Sequence, residues 1–171
     1  MLFRSFPFLL AFLFFFVKSI RFHVKLAYLT LLVILIASFY LQALDLFWQG
    51  MHAPNMFLHR YAWLFSLTIL FMAAEVLNRI KEINWQRLCL AFSLVSIGFI
   101  LTFIYRKHYH FLTSSHYVLT LEFLLVFLTV TLAFTVRKLS YTIFSAVILF
   151  FCLFEISINS YYQIDGIANE W

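Results

Sequence analysis

Three carboxylates interrupt the long apolar runs of this 171-residue chain: Glu75, Glu122 and Glu155. A charged side chain at the centre of a membrane helix costs about 2.5–3.5 kcal/mol on insertion scales, so an acid in such a run is kept for a partner, a ligand or a proton. Glu75 has its partner in the sequence, because Arg79 follows at the i,i+4 spacing that places both on one helical face. Glu122 and Glu155 have no such neighbour. Glu122 lies near the start of its run and Glu155 near the end of the next, so at 1.5 Å per residue both come to rest roughly 5–8 Å below the same interface, where they could share a site. Asn159 stands one turn beyond Glu155, which lets a carboxylate and an amide converge on one ligand or on each other.

A second cluster surrounds the first long polar interruption, from Asp45 to Trp63. Gly50 permits a positive φ, Pro54 fixes its own φ and biases Ala53 toward extended backbone, and Asn55 favours turns, so a compact re-entrant or interfacial loop is expected. Asp45 and His52 supply an acid and an imidazole to that loop. Arg60 opens the following apolar run, where a guanidinium suits a bidentate grip on a phosphate, although lipid anchoring is the simpler role for an interfacial arginine. His108, His110 and His116 have no ligand spacing on one helix face, and Cys89 and Cys152 sit in separate apolar runs, so neither a metal site nor a disulfide nor a cofactor is expected.

These residues must be positioned by a lipid-embedded scaffold. The chain is 65% apolar and 11% charged, against roughly 45–50% and about 25% in soluble domains, which excludes a water-soluble globule. Its net charge of +5 is spread in short clusters between apolar runs rather than on one polar face, so nucleic acid is not the expected partner and membrane lipid is. Charge-poor stretches of spanning length predict an all-α, polytopic integral membrane protein with about six transmembrane helices, over residues 2–17, 26–44, 61–77, 88–105, 117–136 and 141–158. Residues 1–160 thus form a transmembrane domain, and 161–171 are the start of an extracellular tail. The Phe-rich run to Val17 is the shortest and spans only by recruiting Met1–Ser5 or by thinning the bilayer. Loops Lys18–Lys25, Asn78–Arg87 and Arg137–Ser140 carry eight Lys and Arg and the alternate side four, which places both termini and the 45–60 loop outside a cell membrane.

The aromatic-X-Gly of Trp48 and Gly50, the Pro54-Asn55 pair, Arg60 at the head of a span and Trp63 behind it resemble the bacterial YfhO-like membrane protein family. The helix bearing Glu155 and Asn159 strengthens the likeness, which covers essentially the whole chain. The resemblance implies a GT-C type, glycosyltransferase-like protein that takes a sugar from a polyprenyl-phosphate carrier and places it on lipoteichoic acid in the Gram-positive cell envelope. Members of that family are several times longer and are expected to hold their catalytic acids in an amino-terminal membrane half, so the resemblance implies an internal or carboxy-terminal fragment that needs the missing half. Catalytic residues are therefore not assigned. Substrate binding falls to Asp45, Gly50, His52, Pro54, Asn55, Arg60, Glu122, Glu155 and Asn159. The alternative is a non-catalytic transporter or assembly subunit in which Glu122 and Glu155 line a proton or ion path.

Overall fold

A computed structural model describes residues 5–51, 61–104, 114–136 and 139–170, with side chains except at 114–117, 163 and 165–170. Seven α-helices follow one another: α1 Ser5–Phe14, α2 Phe22–Tyr40, α3 Gln42–Trp48, α4 Ala62–Asn78, α5 Trp85–Ile104, α6 Ser114–Thr135 and α7 Tyr141–Glu170, with a single 3-10 turn at Ile80–Glu82 before α5. The described residues form no strand. The fold is all-α, as composition requires. Helices are the economical solution in lipid, because each one satisfies its own backbone hydrogen bonds.

Four helical stretches are long and apolar enough to cross a membrane: Phe22–Tyr40, Trp85–Ile104, Val118–Thr135 and Tyr141–Tyr162, while Ser5–Phe14 and Ala62–Asn78 are shorter apolar helices. Their outward faces carry exposed Leu, Ile, Val and Phe along the whole length, as Leu29, Val33, Ile36, Ile97, Leu125 and Leu149 illustrate. A bilayer supplies the solvent such faces need.

The core is organised around the shortest of these helices. α1 has ten residues and is about 15 Å long, half a bilayer. It is nonetheless the most enclosed element: Phe6, Leu9, Leu10, Ala11, Leu13 and Phe14 are buried on every side. It packs on α4, α5 and α6; α7 lies behind α6, and α2 rests on α4. A helix that is apolar all round belongs in a core. Rings mesh there: Phe6 meets Phe127 with centroids 4.9 Å apart, Phe14 meets Tyr28 edge-on at 5.1 Å, and Phe134 stacks on Phe144 at 4.4 Å.

Three expected boundaries shift. The run 26–44 is not one helix: Leu41 turns extended (φ −99°, ψ 110°) between α2 and α3. α7 continues past Ile158 to Glu170, so the segment expected as a tail from 161 is helical. The 2–17 stretch ends its helix at Phe14 and turns at Phe15–Phe16. Cys89 and Cys152 are both free thiols.

Both ends of the core helix, and the end of α2, are closed by side chains from elsewhere. Lys25 Nζ donates to the Phe15 carbonyl at 2.9 Å and the Arg87 guanidinium to the Phe16 carbonyl at 3.2 Å, satisfying acceptors just past the end of α1. With Lys81 lying over the Tyr141 ring at 5.8 Å and the Arg79–Glu75 ion pair beside it, these groups make one basic end of the bundle.

Candidate functional site

The opposite end of α2 and the start of α4 form a polar-aromatic knot. Because Leu41 leaves the helix, the Ser38 carbonyl loses the intrahelical donor it would otherwise receive, and the Tyr61 hydroxyl donates to it at 2.6 Å. Ser38 is buried; its hydroxyl donates to the Ile34 carbonyl at 2.7 Å and accepts from the Trp48 indole N–H at 3.0 Å. Tyr61 is stacked between Phe39 and Trp48, with centroids at 5.3 and 5.8 Å. The break in the apolar run is therefore held by α3 folding back and by the residue before α4.

Asp45 stands in this knot. The Gln49 amide donates to its Oδ1 at 2.9 Å, and its carboxylate lies against the Tyr61 hydroxyl. Burial first, and the Asp45 charge second, push the Tyr61 phenol up to about 12, so the phenol keeps its proton and remains a donor at any physiological pH. α3 then ends in two consecutive left-handed residues, Gly50 at φ 70° and Met51 at φ 63°. Glycine adopts that region freely, and here a side chain would meet no atom within 4 Å, so backbone rather than space is the constraint. Tyr40, Phe47 and Trp63 are exposed around the knot, and Asp45 and Gln49 are half-buried between them. An acid, an amide and flat aromatic faces at a membrane boundary can take hydroxyl donors edge-on and apolar ring faces flat.

The second polar point lies on α7. Phe144, Ile148 and Glu155 are the buried positions of one helical stripe that ends at half-buried Asn159. Glu155 is 3% exposed. The Ser5 backbone N–H and hydroxyl both donate to its Oε1, at 2.9 and 2.6 Å. A carboxylate at the first described turn of α1 satisfies an N–H that the helix itself leaves without an acceptor and lies at the positive end of the macrodipole. Fourteen residues after Tyr141, it is about 21 Å above the start of α7 and so toward the far end from the basic groups. Asn159 Oδ1 is buried with no hydrogen-bond donor among the described residues.

The sequence-derived candidates therefore divide. Asp45 and Gly50 meet in the knot, and Glu155 and Asn159 share one face of α7, as their spacing requires. Glu122 does not join them. Phe123 and Phe154 touch across α6 and α7 with centroids 6.2 Å apart, which puts Glu122 and Glu155 at one level, but Glu122 is on the exposed side of α6 while Glu155 faces inward. A shared carboxylate site is thus corrected to two separate environments. His52, Pro54, Asn55 and Arg60 lie outside the described residues. Glu75 pairs with Arg79, as the spacing indicates. The sequence reading missed Ser5, Ser38 and Tyr61: hydroxyls in apolar runs carry no local signal of the distant groups they will meet.

The family described as bacterial membrane protein YfhO matches residues 2–171. The chain belongs to that family. No curated protein and no solved structure matches it. YfhO membership accounts for the membrane-embedded helical bundle and places the Trp48, Gly50, Glu155 and Asn159 positions within a family-wide match.

Proposed function

We propose that this YfhO family protein contributes the membrane portion of a glycosyltransferase that moves a sugar from a polyprenyl-phosphate carrier to lipoteichoic acid at the outer face of a Gram-positive cell membrane. The observation that carries the reading is Asp45, held between Gln49 and Tyr61 and ringed by exposed aromatic faces at the end of the bundle opposite the lysines and arginines. Sugar hydroxyls suit the acid and the amide, and the polyprenyl chain suits the apolar helix faces that flank them. Asn159 Oδ1 adds a buried acceptor that a hydroxyl of donor or acceptor satisfies. In this reading Arg60 holds the carrier phosphate, the chain crosses the membrane several times, and the Asp45 end faces outward because the basic end faces the cytoplasm. A proton or ion path through Glu122 and Glu155 is the weaker reading, since the two acids face away from each other.

The test is photocrosslinking of the full chain, in membranes, with a polyprenyl-phosphate-sugar probe. Labelling is expected to fall when unlabelled carrier-sugar competes and to fall at least fivefold in Asp45→Asn at equal membrane abundance. Labelling that ignores both the competitor and the substitution overturns the proposal.

A further inference from the structure

The basic end of the bundle contains a charge arrangement that the proposed sugar chemistry does not use. Lys25 comes from the first turn of α2 and Arg87 from the first turn of α5, and they converge because they donate to the consecutive carbonyls of Phe15 and Phe16. Each is half-buried, and they are near enough to feel one another's positive charge. The first turns of both helices contain no acid, and helix dipoles add further positive potential at exactly that level of the bundle's charge. Arg21 and Lys18 stand exposed in the preceding loop. Glu82 is the acid closest in sequence to Arg87; it is exposed, and among the described residues the one ion pair is Arg79–Glu75.

Neutral carbonyls satisfy one donor on each cation and none of the charge. Lys25 has three N–H donors and Arg87 five, so most of their hydrogen-bonding capacity points away from the α1 carbonyls. Two cations held side by side by a third helix require an anion with several acceptor oxygens, and a phosphate meets that requirement. Apolar walls flank the pair: Phe22 is 79% exposed and Trp85 53% exposed, each within three residues of one cation. Aromatic side chains at a basic helix end mark the headgroup level of a bilayer, and basic pockets between membrane helices take anionic lipid headgroups.

We propose that Lys25 and Arg87 form a phosphate-binding site for the headgroup of an anionic lipid, clasped between α2, α5 and the end of α1, with Phe22 and Trp85 against its acyl chains. The site is separate from the Asp45 knot, at the other end of the bundle, and stands or falls apart from it. The bound phosphate neutralises the pair that closes α1, so lipid and core helix stabilise one another.

Native mass spectrometry of the detergent-solubilised full chain, titrated with phosphatidylglycerol, phosphatidylcholine or inorganic phosphate, tests this directly. Lys25→Gln and Arg87→Gln each keep an N–H donor for the Phe15 or Phe16 carbonyl, which isolates the charge from the fold. Wild-type chain is expected to bind phosphatidylglycerol more tightly than phosphatidylcholine, with a loss of roughly fivefold per cation removed and about 25-fold in the double variant. Saturation by inorganic phosphate alone, lost in the same variants, supports the phosphate site and identifies the free ion as its ligand. Equal binding of the two lipids, or unchanged phosphatidylglycerol affinity in a double variant of normal helicity, overturns it.

Discussion

Removing the Ser5 hydroxyl isolates the contact that ties α1 to α7. Glu155 is 3% exposed, so no water replaces a lost donor, and the hydroxyl contact at 2.6 Å is shorter than the backbone one at 2.9 Å. Hydrogen bonds between membrane helices average about 0.6 kcal/mol and reach about 1.7, whereas bonds to charged groups run about 1.5–3 kcal/mol. Ser5→Ala is therefore expected to destabilise the bundle by about 1–2 kcal/mol. Ser5→Pro removes the backbone donor as well, in a first helical turn that tolerates proline, and is expected to cost about 2–4 kcal/mol. Glu155→Ala removes the acceptor for both. The assay is reversible unfolding in mixed detergent micelles, read by far-ultraviolet circular dichroism, for each single variant and for the Ser5→Ala, Glu155→Ala pair. On the Glu155→Ala background, Ser5→Ala should cost almost nothing further, giving a coupling of at least about 1 kcal/mol. Additivity within about 0.3–0.5 kcal/mol refutes the claim that Glu155 is retained for α1.

Two further outcomes follow from the knot at the far end of α2. Tyr61 is neutral when protonated and its folded value is raised to about 12, so its contribution to stability is complete below the unfolded value near 10 and is lost as pH rises through 12. Tyrosinate absorbance at 295 nm should show a latest-titrating phenol that is missing in Tyr61→Phe; persistence of that step in the variant contradicts the assignment. Gly50→Ala should lower the thermal midpoint by the equivalent of about 1 kcal/mol for its left-handed backbone, while Gly98→Ala, in helical backbone with open space at its Cβ, should be neutral or stabilising by up to about 1 kcal/mol. Equal effects at the two glycines would show that conformation at residue 50 is not the constraint.

The helices were legible in the sequence because charge-poor length is the property lipid selects, and the Glu75–Arg79 pair was legible because four-residue spacing fixes its geometry. The break at Leu41 was not. Neither proline nor glycine marks it; what stabilises it is a tyrosine 20 residues later donating to a carbonyl the break exposes. The extension of α7 to Glu170 escaped for a related reason, since hydropathy marks where a helix leaves lipid and not where its hydrogen bonds stop. Glu155 was recognisable as an acid needing a partner, but Ser5 is 150 positions away. The outward turn of Glu122 is a matter of helix rotation, and α6 is apolar on so many sides that its sequence leaves that rotation undetermined.

The burial of α1 has a consequence for how the protein is made. Its packing partners α4, α5 and α6 all follow it in the chain, and 121 residues separate Phe14 from Thr135. At synthesis rates of about 5–20 residues per second, roughly 6–24 s pass between the completion of α1 and the completion of its surroundings. Through that interval a ten-residue segment about 15 Å long has no neighbour to deepen its apolar contact and no Glu155 to hold its leading turn. It is the first of these helices to reach the translocation machinery and the last to acquire its final environment. Insertion and folding are thus separate events for this segment, and a chaperone or insertase that retains short helices has a defined window in which to act.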